Sequence, residues 1–205
     1  MQSRRHVIAK GGAATVDPLK TLADWIDEAR TLGAPEPEAM ALATATGEGV
    51  PSVRIVLCRG IDARGLRFFT NYESRKGGEL ADNHRAAVVF FWPVIDRQVR
   101  VEGEVERLGS TESDEYFQKR PRGHRLSALA SPQSRPLASL DELRRRAAEV
   151  TAEYEGKEVP RPAYWGGYLL RPSAIELWIR GADRLHDRER FEMRGGAWAC
   201  TRLAP

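Results

Sequence analysis

Hydrophobic and polar positions change their period along the chain, and these changes predict where helices and strands lie. After Asp17 and Pro18, apolar residues recur every three or four positions up to Gly33, which predicts an amphipathic helix with an N-cap and a first-turn proline. From residue 40 onward, apolar residues alternate with polar ones or form short β-branched runs, which predicts strands. The chain is therefore expected to pack a leading helix against a sheet.

The predicted strands are short and are joined mostly by turns. They cover residues 40–46, 52–59, 66–72, 86–92, 97–106, 175–178 and 197–203, and helices are predicted at 74–83, 111–120 and 139–154. Strands with few helices between them favour an antiparallel sheet or barrel over a doubly wound parallel sheet. We expect a mainly β fold with flanking helices, as a single domain over residues 17–205 that follows a flexible N-terminal arm, residues 1–16.

Composition and charge exclude several classes of protein. Charged residues make up 30% and hydrophobic residues 41% of the 205, which is typical of a soluble globular domain. The net charge of +3 does not require nucleic acid, and no apolar run is long enough to span a membrane, so we expect neither partner and a cytoplasmic location. Cys58 and Cys200 are far apart and the four histidines lie in unrelated contexts, so no metal site is expected.

Common catalytic and nucleotide-binding motifs are also missing. The chain has no glycine-rich loop followed by Lys-Ser or Lys-Thr, no Gly-x-Gly-x-x-Gly at the start of a helix and no Gly-x-Ser-x-Gly turn. These absences disfavour a kinase, a Rossmann dehydrogenase and a serine hydrolase.

A cationic segment near the C-terminus is the first candidate for chemistry. Residues 178–188 contain three arginines and a histidine. If this segment is extended, alternate side chains share a face, and Arg184, His186 and Arg188 point the same way. Guanidinium forks and an imidazole suit a small phosphate or carboxylate ligand. A solvated, salt-bridged strand edge explains the same residues, so the segment alone leaves both explanations open.

Further basic and hydroxyl-bearing clusters are interleaved with aromatic residues. The clusters are Arg54 with Arg59, Thr70 with Ser74, Arg75 and Lys76, Gln98, Arg120 with Arg122, and Gln133 with Ser134. The aromatic residues are Phe69, Tyr72, Tyr116, Trp165 and Trp178. Each cluster alone fits a solvated surface. Together they supply phosphate donors and walls for a planar ring, which favours a nucleotide or a flavin as ligand.

The order of these motifs resembles that of the pyridoxine (pyridoxamine) 5'-phosphate oxidases. The matching motifs are Arg54-Ile55-Val56-Leu57, residues 68–77 and 97–103, Tyr116-Phe117 with Arg120-Pro121-Arg122, Gln133-Ser134, Trp165-Gly166-Gly167-Tyr168, residues 184–188 and the closing Arg202-Leu203-Ala204-Pro205. They run in family order from about residue 17 to the C-terminus. The resemblance implies an FMN-binding split β-barrel that forms a homodimer with FMN at the subunit interface.

The resemblance also implies a role for individual residues. FMN would be bound by Arg54, Ile55, Val56, Leu57, Phe69, Thr70, Arg75, Lys76, Gln98, Gln133, Ser134, Trp178 and Arg188. The substrate phosphate would be bound by Arg59, Tyr116, Arg120 and His124, while Arg184 and His186 would contact the substrate's ring and be the catalytic residues. The implied reaction oxidises pyridoxine 5'-phosphate or pyridoxamine 5'-phosphate to pyridoxal 5'-phosphate, by hydride transfer to the flavin, with O2 as acceptor and H2O2 as product.

The chain departs from the family pattern where the substrate is expected. The family usually has Lys at the position of Arg59, Ser at that of His124, Gln at that of Ile179, and Gln-Ile-Gly-Ala-Trp in place of residues 125–129. One alternative is therefore a related FMN oxidase that tailors a phenazine-type or other aromatic acid.

A second alternative is a non-catalytic module that binds flavin or nucleic acid. Its strongest feature is the run Arg144-Arg145-Arg146, although on a helix these side chains point in several directions.

Among these readings, the presence of Tyr116, Arg120, Arg184 and His186 at the family's substrate positions favours the vitamin B6 phosphate as substrate.

Overall fold

The structure is a computed structural model and describes residues 16–205. Its helices are α1 Pro18–Thr31, α2 Arg75–Asp82, α3 Ser110–Lys119, α4 Arg122–Ala130 and α5 Leu140–Glu153. Its strands are β1 Ala39–Ala45, β2 Pro51–Leu57, β3 Gly60–Asp62, β4 Gly65–Asn71, β5 Arg85–Trp92, β6 Arg97–Arg107, β7 Trp165–Ile179, β8 Asp187–Arg194 and β9 Ala197–Arg202. The predicted flexible arm lies outside the described residues, except for Val16.

The described strands form one antiparallel sheet that forks at β7. The main path runs β2-β1-β5-β6-β7-β4-β3, and β8 and β9 form a branch from β7. The first half of β7 pairs with β4 and its second half with β8, while β6 runs along its other side. The two halves therefore diverge and open the sheet into a curled, split barrel, as expected for a mainly β fold.

The change of direction in β7 coincides with a bulge. The register between β6 and β7 shifts between Glu102 and Gly103, opposite Pro172. Gly103 is required there, because a Cβ would lie 2.0 Å from the carbonyl oxygen of Arg171. The sequence predicts a strand only at 175–178, whereas β7 begins ten residues earlier, at Trp165. A proline normally interrupts a strand, but Pro172 lies at this bulge, so β7 continues through it.

Two hydrophobic cores hold the elements together. The larger core packs α1 against the sheet, with Leu22 of the helix and Phe68 and Phe90 of the strands fully buried. Helix α1 begins where predicted, because the Asp17 carboxylate accepts a hydrogen bond from the backbone N–H of Leu19 at 2.9 Å. This core fixes the sheet on which the site residues lie.

The smaller core joins α3 and α4 to the start of β7. Its buried members are Phe117, Leu126, Val159 and Trp165. Helix α4 is absent from the sequence prediction, since its nine residues contain too little of the helical pattern to stand out beside an Arg-Pro-Arg run. The helix matters because it forms one wall of the site described below.

The cationic segment at 178–188 is not extended throughout, so the predicted alternation of Arg184, His186 and Arg188 is wrong. Residues 182–184 form a 3₁₀ turn in which Asp183 and Arg184 have φ values of 50° and 64°. A chain that turns through the left-handed region cannot keep the two-residue alternation of a strand. Only the last two residues of the segment belong to β8.

No helix among residues 16–205 combines the length and apolar composition needed to cross a lipid bilayer. In the same part of the chain, no three His, Cys, Asp or Glu side chains come together as metal ligands.

Candidate active site

A cavity of about 1150 Å³ lies between β2, the start of α2 and the helices α3 and α4. Its wall contains ten of the predicted FMN ligands and all four predicted ligands of the substrate phosphate. These are Arg54, Ile55, Val56, Leu57, Phe69, Thr70, Arg75, Lys76, Gln133 and Ser134, with Arg59, Tyr116, Arg120 and His124. Six residues of the described wall are Arg or Lys and none is Asp or Glu, so the cavity attracts an anion.

The start of α2 presents two of these cations, Arg75 and Lys76. Ser74 caps the helix by accepting a hydrogen bond from the backbone N–H of Gly77 at 3.3 Å. Gly77 is required because a Cβ would lie 2.0 Å from the carbonyl oxygen of Tyr72. A capped helix start that also carries two basic side chains is well suited to a phosphate group.

Lys76 is a buried cation, and no carboxylate among residues 16–205 forms an ion pair with it. Its ammonium group donates to Ser74 Oγ and to the amide oxygen of Gln133, each at 3.2 Å. Burial, and then the positive charge of Arg54, lower the pKa of Lys76 to about 8. An anion beside it would supply the charge compensation that no ion pair among the described residues provides.

Glu79 holds the two neighbouring arginines in place. Its carboxylate accepts hydrogen bonds from Arg75 Nε at 2.9 Å, from Arg54 Nη2 at 3.1 Å and from Ser52 Oγ at 2.6 Å. Burial alone would raise the pKa of Glu79, but the hydrogen bonds from Ser52, Thr44, Arg75 and Arg54 hold it at about 2. Glu79 therefore stays ionised and positions the guanidinium groups at neutral pH.

Stacked aromatic rings form another part of the wall. The rings of Phe69 and Tyr116 lie 3.8 Å apart at an angle of 14°, and Trp165 is parallel to Tyr116 within 3° at 6.3 Å. The guanidinium carbon of Arg120 lies 4.6 Å from the centre of the Trp165 ring. All four side chains line the cavity.

Arg120 carries an unsatisfied donor. Its Nη1 is buried and has no hydrogen-bond partner among the described residues. Burial lowers the pKa of this guanidinium, and the nearby charge of Arg59 lowers it further. Buried donors are nearly always paired in proteins, so this atom marks a position for an acceptor oxygen of a ligand.

These observations fit the FMN that the resemblance implies. Lys76 has no ion-pair partner within the part of the chain that the structure describes, and a phosphate in the cavity would supply one. Phe69 and Tyr116 offer apolar ring surface, and the hydroxyl and amide groups of Thr70, Gln133 and Ser134 offer donors and acceptors.

Five predicted site residues lie outside this cavity. They form the distal group, Gln98, Trp178, Arg184, His186 and Arg188. The register of β6, β7 and β8 pairs Gln98 with Trp178 and Trp178 with Arg188. Thr70 of the cavity pairs with Gly166, and from there to Trp178 the strand β7 runs roughly 40 Å along its contour. Within one chain, none of the five lines the cavity.

Arg188 is neutralised within the chain. Its Nε donates to Glu176 at 2.9 Å and its Nη1 to the carbonyl oxygen of Ala204 at 2.8 Å. Glu176 is only 3% exposed and also pairs with Arg100. These contacts join β6, β7, β8 and the C-terminal residues into one ionic cluster.

His186 is held in a defined orientation. Its ring lies 4.6 Å from that of Trp178, and its Nδ1 accepts a hydrogen bond from the backbone N–H of Gly181 at 3.2 Å. Gly181 is required at this turn, because a Cβ would lie 1.8 Å from the carbonyl oxygen of Leu185. With Nδ1 as acceptor, the neutral imidazole carries its proton on Nε2.

Two charged residues that act on the cavity are missing from the predicted site residues, Glu79 through its hydrogen bonds to Arg54 and Arg75, and Lys119 as part of the wall. Glu79 could have been found, because it lies four residues after Arg75 on a predicted helix and so reaches the same face. Lys119 lines the cavity directly before Arg120, but a lysine at the end of a predicted helix is not distinctive in the sequence.

Comparison with known proteins identifies the family. A family model described as pyridoxamine 5'-phosphate oxidase matches residues 26–154. This chain belongs to that family. A second model, described as the pyridoxine 5'-phosphate oxidase C-terminal dimerisation region, matches residues 165–205. The predicted resemblance and the split-barrel fold are thereby confirmed.

Individual relatives support the same family. Proteins named pyridoxine/pyridoxamine 5'-phosphate oxidase are 50% identical in Salinibacter ruber, over 99% of this chain and 93% of the relative, and 52% identical in Cupriavidus necator, over 92% and 89%. The crystal structure of PhzG from Burkholderia lata 383 in complex with tetrahydrophenazine-1-carboxylic acid is 36% identical, with a TM-score of 0.89 over 94% of each chain.

The family match also supports the expected homodimer. The dimerisation region at 165–205 contains four of the five residues of the distal group. On the same face of the sheet, Val53 and Ile55 of β2 are 68% and 66% exposed and Phe91 of β5 is 50% exposed. The register places Phe91 directly opposite Gln98, so this exposed apolar patch continues into the distal group.

Proposed function

We propose that this chain is an FMN-dependent oxidase that converts pyridoxine 5'-phosphate or pyridoxamine 5'-phosphate to pyridoxal 5'-phosphate, with O2 as acceptor and release of H2O2. The observation that carries the proposal is the acid-free cavity with uncompensated cations at Lys76 and at Arg120. One suits the phosphate of the cofactor and the other the phosphate of the substrate. Relatives near 50% identity that bear the name of this activity support it.

The residues around α2 hold the cofactor. Arg75 and Lys76 neutralise the FMN phosphate, and Gln133 and Ser134 add hydrogen bonds, while residues 54–57 line the adjoining edge of β2. When bound, FMN supplies the two-electron acceptor for the substrate, and O2 regenerates it.

The residues around α3 hold the substrate by its phosphate. Arg120 offers its unpaired Nη1, Arg59 adds charge and Tyr116 contributes its hydroxyl and ring. Fixing the phosphate positions the rest of the substrate, which converts a diffusive encounter into an oriented one.

Arg184 and His186 reach this cavity from a second copy of the chain. Within one chain they lie at the far end of β7, next to the apolar patch that a second copy would cover. His186 then exchanges a proton with the substrate's alcohol or amine, and Arg184 orients the reacting end. Arg184 keeps φ of 64°, a conformation that is uncommon for this residue type and is typical of functional turns.

Anaerobic mixing of the purified, yellow protein with pyridoxamine 5'-phosphate tests the proposal. We expect the flavin absorbance to bleach and to recover with formation of peroxide when air is admitted. Pyridoxine 5'-phosphate in a parallel sample should do the same. Flavin that stays oxidised with both compounds would contradict the proposed substrates.

A second candidate follows from the likeness to PhzG, at 36% identity. A cationic pocket with aromatic walls also suits an aromatic carboxylic acid. Tetrahydrophenazine-1-carboxylic acid in the same anaerobic assay separates the two, since bleaching by this compound alone would favour the tailoring oxidase.

The nucleic-acid alternative loses its main support in the structure. Arg144 pairs with Asp141 at 2.8 Å, Arg145 pairs with Glu149 at 2.8 Å, and Arg146 pairs with Glu142. Because each of these arginines has a carboxylate partner on α5 itself, the run offers little free positive charge to a phosphate backbone.

A further inference from the structure

We propose that Glu79 is an internal counter-ion of the cofactor site, which stabilises the protein before FMN binds and weakens the binding of the FMN phosphate. The carboxylate thereby limits how strongly the site prefers FMN to riboflavin, which has no phosphate. The proposal rests on the proposed function, because it takes the start of α2 as the place of that phosphate.

Glu79 is buried behind the cavity and is bonded to three elements of the fold. Its side chain is 5% exposed and is not part of the cavity wall. Among residues 16–205, it is the one carboxylate that forms ion pairs with basic residues of that wall. Its hydrogen-bond donors are Thr44 of β1, Ser52 and Arg54 of β2, and Arg75 of α2.

Arg54 has little hydrogen-bonding capacity left for a ligand while Glu79 is in place. Its Nη1 donates to the carbonyl oxygen of Leu42 at 3.2 Å and to Thr44 Oγ1. Its Nη2 donates to Ser52 Oγ and, at 3.1 Å, to Glu79. Each terminal nitrogen of a guanidinium carries two N–H groups, so only the Nε–H remains. Arg54 therefore acts on an anion in the cavity mainly through its charge, and Glu79 neutralises part of that charge.

Arg75 is held by Glu79 at one edge only. Its Nε donates to the carboxylate at 2.9 Å, and its side chain is 61% exposed. Its two terminal nitrogens line the cavity side and form no hydrogen bond within the described part of the chain. A phosphate that binds these groups shares the guanidinium with Glu79, so the two anions compete for the same positive charge.

The charges at the start of α2 show what an internal counter-ion does. Arg54, Arg75 and Lys76 are positive, and the ionised Glu79 is negative. Repulsion among three cations opposes folding while the site is empty, and a buried carboxylate relieves part of it. The same carboxylate repels the phosphate of FMN. The stability of the empty form and the affinity for an anion therefore change in opposite directions when Glu79 is neutralised.

A comparison of FMN with riboflavin isolates the phosphate, because both carry the same ring system. Flavin fluorescence measures the binding of each to the apoprotein at pH 7. Glu79→Gln removes the charge but keeps the size of the side chain and one acceptor oxygen. We expect this variant to bind FMN about three- to tenfold more tightly than wild type, as for one partly screened charge, and riboflavin with unchanged affinity.

Urea unfolding gives the second readout. The midpoint for the Glu79→Gln apoprotein should lie below that of wild type, because the repulsion among the cations is no longer relieved. A saturating concentration of FMN should raise the midpoint more in this variant than in wild type, since tighter binding to the folded form stabilises it more.

Two further comparisons serve as controls. Glu73→Gln removes an exposed carboxylate directly before α2 that forms no ion pair with a described residue, so its FMN affinity should stay within about twofold of wild type. If the Glu79→Gln apoprotein does not fold, Arg75→Gln is compared with Arg75→Gln/Glu79→Gln, which loses one charge of each sign. The double variant should bind FMN about three- to tenfold more tightly than the single one.

The outcomes separate this proposal from the proposed function. FMN affinity that is unchanged or lower in Glu79→Gln would overturn the competition, and an equal fall for riboflavin would assign Glu79 a structural role instead. An apoprotein as stable as wild type would overturn the stabilising role. A wild-type protein that binds riboflavin as tightly as FMN would contradict the phosphate site at α2. The expected pattern in a protein that oxidises neither B6 phosphate would support the role of Glu79 and contradict the proposed substrates.

Discussion

The cavity and the distal group are both rich in basic residues, but they differ in how the charges are compensated. In the cavity, Lys76 and the Nη1 atom of Arg120 are buried, and neither side chain has a carboxylate partner among residues 16–205. In the sheet around the distal group, Arg188 pairs with Glu176 and Arg190 pairs with Glu102. An uncompensated cation leaves a position for an anionic ligand, whereas a compensated one joins strands.

This difference explains why residue type alone does not assign the roles. Arg188 was expected to bind FMN, yet within one chain its hydrogen bonds go to Glu176 and to the C-terminal segment. Any contact with FMN must use its remaining N–H groups from a second copy. In the function proposed above, the cavity supplies affinity, and the distal group supplies reacting side chains together with the rigid surface that carries them.

The largest effect is expected at the turn that carries Arg184 of the distal group. Arg184→Ala should lower kcat by roughly 10² to 10⁴, as for loss of an orienting or proton-transfer group, while the protein stays yellow. Steady-state kinetics measures kcat, and the flavin content of the purified variant measures whether FMN is retained. Arg180→Ala is the matched control, since Arg180 pairs with Asp96 nearby, and it should retain activity. Loss of colour in Arg184→Ala would move Arg184 to the cofactor site.

Lys76→Met should weaken the binding of FMN and at the same time stabilise the apoprotein. FMN affinity should fall by roughly 10- to 100-fold because a charge-assisted contact is lost. The apoprotein should become about 1 kcal/mol more stable at pH 7, because a buried uncompensated charge is removed. Fluorescence titration of FMN and urea unfolding measure the two quantities. A destabilised apoprotein would show that the ammonium is already compensated within the chain.

Glu176→Gln should destabilise the protein, in contrast to Lys76→Met. The substitution leaves Arg188 and Arg100 without their buried counter-ion, and both are partly exposed, so we expect a loss of about 2 kcal/mol. Urea unfolding of the purified dimer at fixed protein concentration measures it. FMN affinity should change less than in Lys76→Met, and an equal fall in both variants would erase the distinction between the two regions.

The smallest effect concerns pH. The pKa of Lys76 lies at about 8 in the protein without a bound anion, and the phosphate binds the protonated form. FMN affinity should therefore be constant below pH 8 and fall by at most about tenfold for each pH unit above it. Titrations between pH 7 and 9.5 test this, and the slope should disappear in Lys76→Met. A slope that persists there would assign the titration to another group.

Local patterns predicted much of the fold because they depend on neighbouring residues. The cap at Asp17, the hairpin of β1 and β2 and the helix after Ser74 are each encoded within a few positions. Helix α4 and the full length of β7 are not encoded in this way. Helix α4 is stabilised by packing of Leu126 in the smaller core, and β7 continues through Pro172 because an extra residue, Ser173, forms a bulge against β6 at that point.

By itself the sequence determined the family, the mainly β fold and the residue types that suit a phosphorylated cofactor and substrate. Only the tertiary structure decided which of these residues share a cavity, because that depends on the register of strands far apart in the chain. It also decided which cations are compensated, since Glu79 and Glu176 act across elements. Electrostatic roles follow from distances and burial, and these exist only once the chain has folded.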